Sequence, residues 1–177
     1  MFVASIVKGF IGGAVGTIAM QGYWKLVQKI TGDDPRTRKR PGHHKLDDMS
    51  VITMDKPEDE GSTATVGRVI YEEATHHEPD RETKQALSQA VHWTYGILQG
   101  GLYGALSSVR RSNKLLGGAL WGAGMWLLGD ELAVPALGLA PGATAYKPSQ
   151  HAHRLGAHLV YGLSVAGVTR ALGMRRH

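Results

Sequence analysis

The stretch QALSQAVHWTYGILQGGLYGALSSV, residues 85–109, decides the fold. It lies between Lys84 and Arg110 and carries no formal charge. At about 25 residues it exceeds the roughly 20 that a helix needs to cross a hydrocarbon core. Gly96, Gly100 and Gly104 recur every fourth residue, which places them on one helix face. In a water-soluble helix each interior glycine costs about 1 kcal/mol relative to alanine. In a bilayer, where lipid tails remove the hydrophobic drive for helix association, glycine lets two backbones approach and pack. The stretch therefore predicts a membrane-spanning helix.

Three further apolar segments surround it. The first covers residues 2–27 and is interrupted by Lys8. It contains two small-xxx-small pairs, Gly9/Gly13 and Gly12/Gly16, and ends on Tyr23, Trp24 and Lys25, an interfacial anchor pattern. The third segment covers residues 115–137 and carries Gly118 and Gly122. Its uncharged part ends at Gly129, about 22 Å of helix against a core of roughly 30 Å, so a full crossing runs on through Asp130 and Glu131. The fourth covers residues 155–172, with Arg154 and Arg170 flanking its uncharged part and able to snorkel. The expected fold is an all-α polytopic membrane bundle of about four spans, forming a single domain. Glycine supports it: 24 of 177 residues, about twice the usual share of ~7%.

Overall composition hides this organisation. The hydrophobic fraction of 42% and mean hydropathy of −0.18 average the apolar segments with a long polar loop, residues 31–84. A soluble bundle of buried glycine-rich helices is the competing architecture. Within the loop, Asp33-Asp34-Pro35 and Pro41-Gly42 are turn signals. Ser62 is a candidate cap for a short amphipathic helix reaching Thr75, with Val66, Val69 and Ile70 on one face. Pro79-Asp80 reads as the start of the helix that becomes the second span, with Glu82 in its first turn. Residues 132–148 are apolar but broken by Pro135, Pro141 and Pro148, which predicts a re-entrant or interfacial loop with Tyr146 and Lys147 at the headgroups.

The charge balance is +5 with a pI near 9.6. The cations flank apolar segments, so anionic lipid headgroups rather than nucleic acid are the expected partners, together with the bilayer and either a second copy or a membrane complex. Arg110, Arg111 and Lys114 crowd the second loop, and Arg170, Arg175 and Arg176 end the chain. With four spans, the positive-inside rule makes both termini cytoplasmic. Lys25, Lys29, Arg36, Arg38, Lys39, Arg40 and Lys45 argue the other way, but they stand in a long loop, which weighs less.

Absence of cysteine excludes disulfides, thiolate metal sites and a cysteine nucleophile. Phosphate-binding loops and nucleophile elbows are missing, and Ser107, Ser108 and Ser164 have no base at a telling spacing. The expectation is a protein that is not an enzyme. The residues with chemical potential are His92, Asp130, Glu131 and His158, ionisable groups at membrane depth that mark candidate polar sites. The bland alternative puts Asp130 and Glu131 in water at a helix end. His151, His153 and His158 form H-x-H-x4-H, the only spacing that raises a metal or haem site, although neighbours two apart diverge on a helix. No cofactor is expected. His43-His44 and His76-His77 read as loop pairs.

The C-terminal half resembles a known family. GALWGAGMWLLGDELAVPALGLAP (118–141), a short polar loop and GAHLVYG (156–162) follow the order of the YagU-like family of bacterial inner-membrane proteins. The matching features are Pro135, Gly138-Leu139, Pro141 and the run Gly156-Ala157-His158-Leu159-Val160. AVHWTYGIL (90–98) and DDPRTRKRP (33–41) are similar to its second span and to the stretch after its first. His153-Arg154 stand where that pattern has an acidic residue. The resemblance implies a multi-span inner-membrane protein, with a role in acid resistance suggested for the family, and no catalytic residues. The expected function is thus a structural or accessory membrane component linked to acid or stress. Proton, ion or small-solute transport and a metal- or haem-binding module are the alternatives.

Overall fold

The computed structural model describes residues 2–34, 36, 50, 51, 60–109 and 114–173. The turn at Pro41-Gly42, His43-His44, the cations of residues 37–49, Arg110, Arg111, Arg175 and Arg176 lie outside them. The described chain is all-helical. Helix α1 is Phe2–Thr31, α2 Ser62–Thr75, α3 Arg81–Val109 and α4 Lys114–Gly124. A π-helical segment, Met125–Ala133, continues α4 and runs into the short α5, Val134–Ala136. A 3-10 turn, Ala143–Ala145, precedes α6, Pro148–Ala171.

The long helices pack in the order α3, α1, α6, α4, with α2 lying on α3. Helix α1 is central because its two glycine pairs serve two neighbours. Gly9 and Gly13 face α3: a Cβ at Gly13 would stand 2.6 Å from the Gly96 carbonyl oxygen, and one at Gly9 would meet the backbone of Gly100. Gly12 and Gly16 face α6, against Val165 and Tyr161. From the α3 side, a Cβ at Gly100 would lie 2.6 Å from the Gly13 nitrogen, and one at Gly104 would lie 3.0 Å from Gly9 Cα. The α4–α6 seam repeats the device. Gly118 and Gly162 oppose each other, and Gly122 rests on the carbonyl of His158. Backbone approach between α3 and α4 is slight by comparison. Tyr103 and Trp121 fill that side, their ring centroids 6.1 Å apart.

Apolar side chains are both buried in the seams and exposed along the long helices. The buried cluster is Met20, Tyr103, Ala157, Tyr161, Val165 and Ala166. Exposed instead are Val3, Val7, Ile11 and Ile18 along α1, Leu98, Leu102 and Leu106 along α3, and Leu116, Leu120, Leu127 and Leu128 along α4 and its continuation. Among the described residues one helix, α1, is long and apolar enough to cross a membrane by length and composition.

Several boundaries differ from the sequence-based expectation. Helix α6 begins at Pro148, seven residues before the expected span, because Pro148 takes the first helical position and the Lys147 N–H donates to Gln150 Oε1 at 2.9 Å. Ser62 is not a cap. Gly61 holds that position without a side-chain bond, and the Ser62 hydroxyl donates to the Leu139 carbonyl at 2.8 Å. The covered face of α2 is Thr65, Gly67 and Arg68, not Val66, Val69 and Ile70; Gly67 packs on Leu87 of α3 and Ile70 is exposed. Arg68 is buried there because Glu60 and Glu72 neutralise it at 3.2 and 2.9 Å. Asp80 does start α3: its Oδ1 accepts the Thr83 N–H at 2.8 Å, and that bond holds the carboxyl below its ordinary range.

These seams make substitution effects specific. Gly100→Ala, whose Cβ would meet backbone atoms that cannot rotate away, is expected to cost at least about 1–3 kcal/mol. Gly22→Ala, with nothing within 4 Å of the added Cβ, is expected to be neutral or to stabilise by up to ~1 kcal/mol. Denaturant titration in detergent, followed by circular dichroism, measures both; equal effects would show that the α1–α3 seam does not form.

Candidate functional site

The polar side chains collect at one end of the bundle, where α1 ends, α3 and α6 begin and the π-helical segment closes. Long π-helical runs are rare, and such segments occur frequently at functional sites. Here the Val134 N–H bonds to the Gly129 carbonyl five residues back. Asp130 and Glu131 both sit in this segment. Neither is a solvated helix end: Glu131 is 9% exposed and Asp130 half-buried.

Each acid has its own histidine. Glu131 Oε1 lies 2.7 Å from His151 Nδ1, and the Nε2 of the same ring lies 2.9 Å from the Ala143 carbonyl oxygen. A carbonyl oxygen can only accept, so Nε2 carries a proton. One more proton must then lie between Nδ1 and the carboxylate, either as imidazolium facing carboxylate or as carboxylic acid donating to neutral imidazole. The contact holds one shared proton in both forms. Without it the ring has one N–H for two acceptors, so one of its two contacts is lost.

The second pair is looser. His158 Nδ1–H donates to the Arg154 carbonyl at 2.9 Å, leaving Nε2 toward Asp130 Oδ2 at 3.8 Å. Those atoms are beyond hydrogen-bonding distance. Asp130 also feels Arg154, Glu131 and His92, and Tyr95 of α3 approaches the backbone at Gly129. The sequence-selected His92, Asp130, Glu131 and His158 thus share one neighbourhood.

The H-x-H motif splits apart. On the helix of α6, His151 turns to Glu131 and His153 to the Tyr23 hydroxyl at 3.3 Å, while His158 faces Asp130. His151, His153 and His158 therefore do not converge on one point. Among the described residues no group of three His, Asp or Glu side chains has the arrangement of a metal site.

Two partners escaped the sequence reading. Tyr146, expected at the headgroups, is buried, its ring edge-on to His151 at 6.0 Å. The Arg154 guanidinium lies 3.9 Å above the Tyr146 ring, which fixes a cation over the cluster. The signal was present: with α6 starting at Pro148, His151, Arg154 and His158 fall at i, i+3 and i+7 on one face. Ser107, Ser108 and Ser164 return their hydroxyls to carbonyls three or four residues back in their own helices.

Comparison of the chain with protein-family models, with curated proteins and with solved structures gives no match.

The pairing predicts a graded response. Glu131→Gln keeps a donor for Nδ1 and is expected to cost less than ~1 kcal/mol. Glu131→Ala strands a partly buried imidazole and is expected to cost about 1–3 kcal/mol. Denaturant midpoints of the two variants test the order; the reverse order would mean that the carboxyl packs elsewhere.

Proposed function

We propose that the protein is a polytopic membrane protein whose packing at one membrane face responds to protons. Helices α1 and α3, the rod formed by α4 with its π-helical continuation and α5, and helix α6 are its four crossings. Its place is the bacterial inner membrane, and its role is that of a non-enzymatic accessory component. Support for the crossings comes from the leucine, isoleucine and valine side chains turned outward on these helices, while glycine, alanine and tyrosine fill the seams. Helix α3, with 29 residues, reaches about 44 Å and α6, with 24, about 36 Å. The resemblance to the YagU-like family points the same way.

The observation that carries the proton reading is the His151 ring between the Glu131 carboxyl and the Ala143 carbonyl. It joins three pieces of chain: the π-helical segment, the 3-10 turn and α6. Removing its proton sets two acceptors against each other in a buried place. The titratable groups of the cluster gather at one end; farther along α6 the neighbours are Tyr161, Val165, Ala166 and Thr169 in close packing. That distribution favours proton binding from one side over conduction across the bundle. With both termini cytoplasmic, the cluster faces the opposite side.

Two experiments test this reading. Alkaline carbonate washing of membranes from expressing cells is expected to leave the chain in the pellet, with release only by detergent; release by carbonate would remove the membrane assignment. Hydrogen exchange of residues 143–151 is expected to quicken as pH rises, after correction for intrinsic rates, and Glu131→Gln is expected to abolish that pH dependence. An identical pH profile in the variant would assign the response to other groups.

A further inference from the structure

Outside the acid–histidine cluster, a cleft of about 490 Å³ lies between α2 and the first turns of α3. Its α3 wall is a single polar face: Arg81, Lys84, Gln85, Ser88 and Gln89, spaced i, i+3, i+4, i+7 and i+8. Opposite stands Glu60. Its carboxylate is already occupied, by Arg68 Nε at 3.3 and 3.2 Å and by the Thr65 hydroxyl at 3.0 Å. Arg81 has no ion-pair or hydrogen-bond partner among the described residues. The Lys84 ammonium pairs with the exposed carboxylate of Glu78 at 2.9 Å and also feels Glu60 across the cleft. An exposed pair of that kind exchanges readily for a better anion. The walls thus offer two cations with amide and hydroxyl groups, and their acid is neutralised internally.

Position decides what such a cleft takes. Arg81 and Lys84 come just before the uncharged stretch that begins at residue 85, and the cleft continues about one helical turn along it, past Gln85 to Gln89. Polar side chains at that depth would be costly against lipid tails, but they suit the phosphate and glycerol of a headgroup. We infer that the α2–α3 cleft binds the phosphodiester of an anionic lipid headgroup, with Arg81 and Lys84 on the phosphate and Gln85 and Gln89 on the glycerol ester oxygens beneath it. This inference rests on the membrane reading for the source of the phosphate. The cleft itself is independent of the acid–histidine cluster.

Titration calorimetry of the detergent-solubilised protein tests it with a short-chain probe. Dihexanoyl phosphatidylglycerol is expected to bind with one-to-one stoichiometry, and dihexanoyl phosphatidylcholine at least tenfold more weakly. Arg81→Gln combined with Lys84→Gln is expected to weaken phosphatidylglycerol binding about 25-fold, from a factor of about five per cation. Lys25→Gln with Lys29→Gln removes two exposed cations from the last turns of α1 and is expected to leave binding unchanged. Both double variants are compared with the parent chain at matched helical circular dichroism. Equal weakening by both double variants would overturn the cleft in favour of general surface charge. Inorganic phosphate binding as tightly as the lipid would overturn the headgroup in favour of a free phosphate. Loss of the membrane assignment in the carbonate experiment, with the calorimetric selectivity intact, would refute only the bilayer as the source.

Discussion

Close approach of glycine backbones in α1 and α3 is the constraint on which the remaining structure depends. Side chains larger than hydrogen at Gly9, Gly13 or Gly100 would press on main-chain atoms of the neighbouring helix, which have no rotamer through which to escape. The pairs Gly9/Gly13 and Gly12/Gly16 lie about 60° apart round α1, and they seat α3 and α6 on it side by side. That seating sets the distance between the two partners. Tyr161 of α6 passes behind Gly16 and donates its hydroxyl to the Gly96 carbonyl of α3 at 2.5 Å, locking the three helices into one register. Position along the helices is thereby fixed before any ionisable group is considered.

The polar end follows from that register. Gly122 resting on the His158 carbonyl, and Gly118 on Gly162, hold α4 to α6 in a set alignment. The continuation of α4 therefore arrives beside the first turns of α6, where His151, Arg154 and His158 form one face. In the wider π-helical turn, the consecutive acids Asp130 and Glu131 meet histidines seven residues apart. Ser62 ties the same end to α2 through the Leu139 carbonyl, so the long polar block is anchored to the loop that carries the Ala143 acceptor.

How much of this is legible in the sequence depends on whether the signal is local. Glycine spacing is local, and it puts Gly9, Gly13, Gly96, Gly100, Gly104, Gly118 and Gly122 at helix seams, all of which the structure lines with neighbouring chain. Charge-free runs locate the helices. What stays hidden is the division of labour between the two α1 pairs, since a single sequence does not say which neighbour each face receives. The acids and His158 stand out as ionisable groups in apolar runs. His151 does not, because its helix start is set by Pro148 and Gln150, seven residues ahead of the apolar boundary. Polar residues at the head of α6 read as loop when hydrophobic periodicity alone marks the ends of helices. The π-helical form of residues 125–133 has no local signature either.

Two kinds of stabilisation therefore coexist, and they differ in what can change them. Glycine seams are geometric: only main-chain atoms meet between Gly13 and Gly100, so no titrating side chain takes part in that contact. The joint between Glu131, His151 and Ala143 depends on a single proton, and it lies beyond the last glycine contact of the α4–α6 seam, at the end where the chain leaves the helices. On the proposed reading, a change at this joint loosens the π-helical segment and its loop while the seams stay closed. Hinging at the end of a rigid rod, rather than opening of the whole bundle, is the motion this distribution allows. It also accounts for the placement of the acids just outside the tightly packed stretch, because a titrating group within the glycine seams would have no room to separate from its partner.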